Sequence, residues 1–371
     1  MKSKLHILLY CQNDADALEQ RQTGLFAIDL VKQGFDVSIL VNNCSSVSQL
    51  ESIYDKIKVY YTKEQKWHQK YINFYEFNIR EVLKRDDSID IVQIMSCNYE
   101  NSFIAQSCKK LGVPCLAKVM HKSIRDFRAV GTLQKKFLDK NLSAFTKIIV
   151  NAEYLITLGK QHGLHNLTLI YDGIYVDNLK GAFNKTPIRR KLGLPDRTML
   201  LTCPANILRE NKQFETIKKL MPLSETRQLV IIGDIEDSSY FQSLKREIEF
   251  LKVQDYVHFL PNNDSVDYLK ASDLLVMLGG IEDRIETILH SQALGVPVVL
   301  GDSPSSLFLT NANRCGVVLY EDNILVQQAL DRLLTDSVYR QSRGVNARQF
   351  VLELFTRDKM LEDYAKLYSS L

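Results

Sequence analysis

Between residues 273 and 300 the chain has few ways to fold. The apolar run Asp273-Leu-Leu-Val-Met-Leu278 reads as a buried strand. An acidic loop, Gly280-Ile-Glu-Asp-Arg284, runs into a short helix, and Gly295-Val-Pro297 turns the chain into a second buried strand that ends near Leu300. This β-loop-α-turn-β order is the unit of a parallel sheet. A helix that starts just after a parallel strand presents unpaired N–H groups and the positive end of its dipole at the carboxyl edge of the sheet. Open α/β sheets bind phosphate-bearing ligands at that edge.

The same alternation runs from end to end. In the first half, apolar runs predict strands at 4–10, 36–42, 56–61, 89–95, 114–120, 146–151 and 167–171. Helices fall between them, among them Gly24–Gln33 stopped by Gly34 and Ser102–Leu111 stopped by Gly112. The stretch Lys180–Pro187 is polar and aperiodic and reads as a linker. Strands at 198–203, 228–233, 256–260, 273–278 and 296–300 follow, and 323–371 reads as helical. At 371 residues the chain exceeds one ordinary core, so two doubly wound, Rossmann-like α/β domains are expected. We place them at 1–185 and 186–352, with 353–371 as a closing helix.

Composition excludes several classes. With 45% apolar and 25% charged residues the chain is an ordinary globular one, and no apolar run approaches the ~18 residues that span a bilayer. The N-terminal residues read as a first strand, with His6 breaking any leader-like run. The seven cysteines are scattered without a C-x-x-C pair, which fits reduced thiols in a cytoplasmic protein. No Gly-x-Gly-x-x-Gly opens the first helix, which argues against a dinucleotide-dependent dehydrogenase. The charge is uneven: residues 1–190 hold 27 Lys/Arg against 19 Asp/Glu, and the remainder 20 against 25. The basic half suits an anionic partner, either a phosphorylated acceptor or a membrane surface, and uneven surface decoration is the alternative. Nothing points to nucleic acid.

The donor-edge stretch resembles the motif of family 4 glycosyltransferases, retaining enzymes of the group 1 type with the GT-B architecture. Glu282, Ala293, Gly295 and Pro297 fall on that pattern, and His290 stands at its second Glu. Ala205-Asn-Ile-Leu-Arg-Glu-Asn-Lys212 is similar to the family's pyrophosphate clamp, with Lys212 in register and Asn206 where the family has Arg. Leu229-Val-Ile-Ile-Gly-Asp234 resembles its glycine turn at Gly233, and Ile170-Tyr-Asp-Gly-Ile-Tyr-Val-Asp177 its Asn-Gly-Val-Asp turn. The strand Cys115-Leu-Ala-Lys-Val-Met-His121 ends in a histidine, as the family's does.

The resemblance implies two domains facing a cleft, with a last helix, near Phe355–Tyr368, crossing back to the first domain. It implies His121, Lys212 and Glu282 as catalytic residues, and Asn206, Arg209, Gly233, Gly280, Ile281 and His290 as donor-binding. Lys212, helped by Arg209, would stabilise a nucleoside diphosphate leaving group, which gathers negative charge in the transition state. The basic loop with Lys122, Arg125 and Arg128 would hold the acceptor. The implied reaction moves a sugar from a UDP- or GDP-linked donor to a glycan or lipid-linked acceptor, with retention and without a metal or cofactor. Cytoplasmic location, with peripheral contact at the inner anionic face of a membrane, goes with it. The changes at Asn206 and His290 keep a second reading open, a degenerate GT-B subunit that binds nucleotide or glycan without catalysis. A sugar-nucleotide epimerase is a third.

Overall fold

The computed structural model describes residues 4–11, 17–41, 57–61, 71–95, 102–119, 142–161, 163–176, 185–191, 193–195, 197–262, 265–320 and 324–371. These form two compact units, one of residues 1–171 with 358–371 and one of 172–357.

The first unit contains strands β1 (His6–Cys11), β2 (Asp36–Val41), β3 (Lys58–Tyr61), β4 (Ile91–Ile94), β5 (Cys115–Val119), β6 (Lys147–Val150) and β7 (Leu167–Leu169). They make one sheet in the order β3-β2-β1-β4-β5-β6-β7, and every pairing is parallel. Helices α1 (Ala17–Lys32), α2 (Tyr71–Arg85), α3 (Ser102–Leu111) and α4 (Glu153–Gln161) connect them. Both faces of the sheet are covered, so the strands read as continuous apolar runs rather than alternating ones. Leu8 and Tyr10 pack with Ile79 and Ile104 on one face, while Ile7 and Leu9 pack with Phe26 and Leu30 on the other. α3 matches its predicted span, with Gly112 at φ +74° after it. α1 starts at Ala17, seven residues before the predicted start at Gly24, because Ala-Leu-Glu-Gln is itself helix-forming.

The second unit contains α5 (Thr186–Lys191), β8 (Met199–Cys203), α6 (Gln213–Lys219), β9 (Arg227–Ile232), α7 (Ser238–Phe250), β10 (Val257–Leu260), α8 (Ser265–Ala271) and β11 (Leu274–Met277). α9 (Ile285–Ala293), β12 (Val298–Gly301), α10 (Ser306–Leu309), β13 (Gly316–Leu319), α11 (Ile324–Thr335) and α12 (Ser337–Leu354) complete it. Its sheet runs β10-β9-β8-β11-β12-β13, again all parallel. The predicted linker gives way to α5 at Thr186, with Pro187 in the first helical turn where a missing N–H is harmless. Arg189 then fixes this helix to the sheet: it is buried, pairs with Asp273, and donates to the carbonyls of Thr198 (2.7 Å) and Ala271 (3.2 Å).

The last helix, α13 (Arg357–Ser369), belongs to the first unit from Asp358 onward. Met360, Leu361, Tyr364, Leu367 and Tyr368 all enter the β1–β2–α1 core. Tyr364 packs its ring 4.8 Å from Phe26, and Tyr368 donates a 2.5 Å hydrogen bond to Oε1 of buried Gln93 on β4.

Candidate functional site

The order of the second sheet reverses between β8 and β11, so the loops that follow these two strands lie side by side at the carboxyl edge. Ligands of open α/β sheets bind at such switch points. The loop after β8 is drawn along the loop after β9 by bridge-like pairing. Ile207 donates to the Asp234 carbonyl (2.8 Å) and accepts from Glu236 (3.2 Å) and Asp237 (3.1 Å). Gly233 permits this approach, since a Cβ there would sit 2.5 Å from the Ala205 carbonyl oxygen.

A short 3-10 turn, Arg209–Asn211, leads to Lys212, whose backbone is left-handed at φ 55° and ψ 39°. A β-carbon is unfavourable there, yet the residue turns the chain into α6 and leaves an exposed ammonium at the sheet edge. In the loop after β11, Gly280 (φ +65°) lies against Asn211, and a Cβ on it would come within 2.0 Å of Asn211 Oδ1. Asn211 Nδ2 in turn donates to the Asn206 carbonyl at 2.7 Å, which also accepts from Gln213 Nε2 at 2.6 Å.

Asn206 is the hub of these loops. Its Nδ2 donates to Glu236, and its Oδ1 accepts from the Asp234 amide (3.3 Å), Asn262 Nδ2 (3.3 Å) and Arg284 Nη2 (2.6 Å). The guanidinium therefore comes from a residue 78 positions downstream, in the loop after β11. Its field reaches buried Cys203 at the end of β8; burial pushes that thiol up to about 12, and Arg284 pulls the other way. Arg209, expected to support Lys212, lies 5.5 Å from the centre of the Tyr240 ring at the start of α7.

Ile281 is buried, and Glu282 is half-buried, accepting from the Ser305 amide at 3.4 Å. His290 is half-buried in the last turn of α9. Gly295, just after α9, has φ +76°, and Arg348 of α12 caps the helix by donating to the Ala293 carbonyl at 2.7 Å. Ala293 and Gly295 thus serve to end α9 and join it to α12. His121, Lys122, Arg125 and Arg128 lie outside the described residues. Among the described residues no group of three or more His, Cys, Asp and Glu side chains gathers as a metal site. Arg284, Asn211 and Asn262 bond to Asn206 and tie these loops together, which spacing alone did not reveal. Arg284 carried one signal, as a lone cation in an acidic loop at a sheet edge.

The sequence model of the glycosyl transferases group 1 matches residues 184–350. The second half of the chain is thus similar to a group 1 glycosyltransferase domain. Over 182 residues the chain is 27% identical to a GDP-mannose-dependent monoacylated alpha-(1-6)-phosphatidylinositol monomannoside mannosyltransferase of Corynebacterium glutamicum, covering 45% of this chain and 46% of the relative. The chain spans about half the length, or less, of the curated relatives it matches.

Its fold extends further. A glycosyltransferase from Rickettsia africae superposes with a TM-score of 0.79 at 17% identity, covering 99% of this chain and 98% of that one. The Anabaena protein Alr3699/HepE, solved in complex with UDP and glucose, superposes at 0.73 with 16% identity, covering 99% and 100%. Both units thus carry the GT-B type of α/β fold that the sequence resemblance implied. The matched residues include every described residue of the candidate site, from Asn206 to His290. Among the described residues no helix is long and apolar enough to cross a membrane.

Proposed function

We propose that the protein is a glycosyltransferase that moves a sugar from a nucleoside diphosphate donor to a glycan or lipid-linked acceptor. One observation carries the reading: within the residues that match the group 1 model, Lys212 is held at the switch-point edge in a left-handed backbone that a lysine adopts only at a cost. In this reading the acceptor hydroxyl attacks the anomeric carbon as the bond to the diphosphate oxygen breaks. The acceptor proton passes to the departing phosphate. Lys212 offsets the charge that builds on that group, the role a cation serves best where water is scarce. Side-chain cations take this part, so the reaction proceeds without a metal.

Glu282 orients donor-sugar hydroxyls, and His290 meets the ribose. Gly233, Gly280 and Ile281 shape the donor crevice, and Arg209 and Asn206 line it. His121 belongs to the sugar site, while Lys122, Arg125 and Arg128 hold the acceptor. Retention of configuration follows from the family resemblance. UDP and GDP are the nucleotides to consider, given the UDP in the Anabaena complex and the GDP-mannose of the Corynebacterium relative. That relative's phosphatidylinositol-type acceptor supports a lipid-linked acceptor here, with work at the inner face of a membrane. The substitutions at Asn206 and His290 favour one second reading, a subunit that binds nucleotide without turnover.

Thermal melting with UDP and GDP, followed by product assay with their sugar derivatives, tests the proposal. A nucleotide at 100 times its dissociation constant adds about 2.7 kcal/mol to stability. Stabilisation plus acceptor-dependent release of nucleoside diphosphate is the expected result. Stabilisation without release would favour the binding subunit, and neither effect would refute both.

A further inference from the structure

The half-buried guanidinium of Arg284 is committed to a single hydrogen bond among the described residues, that to Asn206 Oδ1 at 2.6 Å. Arginine carries five N–H donors in a planar fork, so most of this one's capacity is unspent. Among the described residues no carboxylate lies within ion-pair distance of it. Glu236 and Asp234, the acids nearest in the network, are engaged through Asn206 and Asn262 instead. Removing a cation from water without a counter-charge is unfavourable, so such a group calls for an anion.

The surroundings agree on where that anion lies. Arg284 closes the 3-10 turn Glu282–Arg284 and is the N-cap residue of α9, which its own side chain does not cap. Lys212 stands on the facing loop, which Asn211, Gly280 and the Asn206–Arg284 bond tie to the loop after β11. An uncommitted fork and a second cation along one sheet edge suit a diphosphate, whose oxygens a guanidinium takes in pairs.

We propose that Arg284 is a diphosphate-binding residue of the donor site, delivered from the loop after β11 and aimed by the carboxamide of Asn206. This rests on the nucleotide-donor reading above. The role of Asn206 is then positional, since it holds the fork at one nitrogen and leaves the others to the ligand.

Isothermal titration with UDP, GDP, uridine and guanosine tests it on the full chain, as wild type, Arg284→Ala, Arg284→Lys and Asn206→Arg/Arg284→Ala. Loss of charge-assisted hydrogen bonds is expected to weaken whichever diphosphate binds by roughly 10- to 100-fold. Nucleoside binding should change less than twofold. Arg284→Lys keeps the charge without the fork and should fall between. The double variant moves the cation to the partner position and should recover most of the affinity. Diphosphate affinity within twofold of wild type in Arg284→Ala, or equal losses for diphosphate and nucleoside, would overturn the assignment. If the wild type itself binds neither UDP nor GDP, the donor reading falls and this one with it; if it binds one and Arg284→Ala is unaffected, only this one falls.

Discussion

Lys212 offers a substitution in which stability and activity should move in opposite directions. Its backbone sits at φ 55° and ψ 39°, where an L-residue with a β-carbon loses about 1–2 kcal/mol relative to the right-handed region. Glycine escapes that penalty but costs about 0.5–1 kcal/mol more unfolded-chain entropy. The side chain is exposed, so its removal costs little packing. Lys212→Gly should therefore stabilise the second unit by roughly 0.5 kcal/mol, with a ceiling near 1.5 kcal/mol. Lys212→Ala keeps the β-carbon and the strain, and should stay within about 0.5 kcal/mol of wild type.

Both variants lose the same cation. In the proposed reaction that removes a transition-state contact worth about 2.7–4 kcal/mol, or 10²–10³ in rate. The assay pairs urea denaturation with transfer or donor hydrolysis on the same preparations. Equal activity losses with unequal stabilities would show that the charge, not folding, was lost. A Lys212→Gly variant destabilised by more than about 1 kcal/mol would refute the backbone argument. Activity within threefold of wild type in either would remove Lys212 from the site.

Gly280→Ala should cost about 2–3 kcal/mol, because the new methyl meets Asn211 Oδ1 in a left-handed residue. In an Asn211→Ala background the clash is gone, and the same change should cost only about 1 kcal/mol; additive effects in a double-mutant cycle would contradict this. Tyr368→Phe leaves buried Gln93 Oε1 without its donor and should cost about 1–3 kcal/mol, seen as a melting shift of roughly 3–10 °C. An unshifted melt would mean that the bond contributes nothing. Burial holds His258, which is bonded to Gln228 at 3.1 Å, below the ordinary imidazole range. Below an unfolded value near 6.5 the unfolded chain takes up a proton that the folded one declines, so stability is full above that pH and falls as pH drops through the window. His258→Gln should flatten that slope between pH 5 and 7, and an unchanged slope would assign it elsewhere.

Most strands were legible because parallel strands buried on both faces read as unbroken apolar runs, and glycines punctuate the helices beside them. β13 was not foreseen. It is four residues long, follows the aperiodic Asn311–Cys315 stretch, and opens on Gly316, where a Cβ would come within 1.8 Å of the Val298 carbonyl oxygen. Glycine there marks close backbone approach, which a propensity reading scores against a strand. At the candidate site, Lys212 and Glu282 stood out through motif register. The Asn206–Arg284 bond was not, because 78 residues separate the partners and only the strand order brings β8 and β11 side by side.

The place of α13 has a consequence for the birth of the protein. The first unit's core lacks five of its side chains until residues 360–368 are made, and 172–357, a whole α/β unit, must be translated in between. At 5–20 residues per second that interval lasts roughly 10–40 s. During it the apolar groove over β1, β2 and α1 stands open, and the second unit's own core is complete only with Phe350, Val351 and Phe355, a few residues before α13. The first-made unit therefore cannot mature ahead of the second: both cores are completed by the last few dozen residues of the chain.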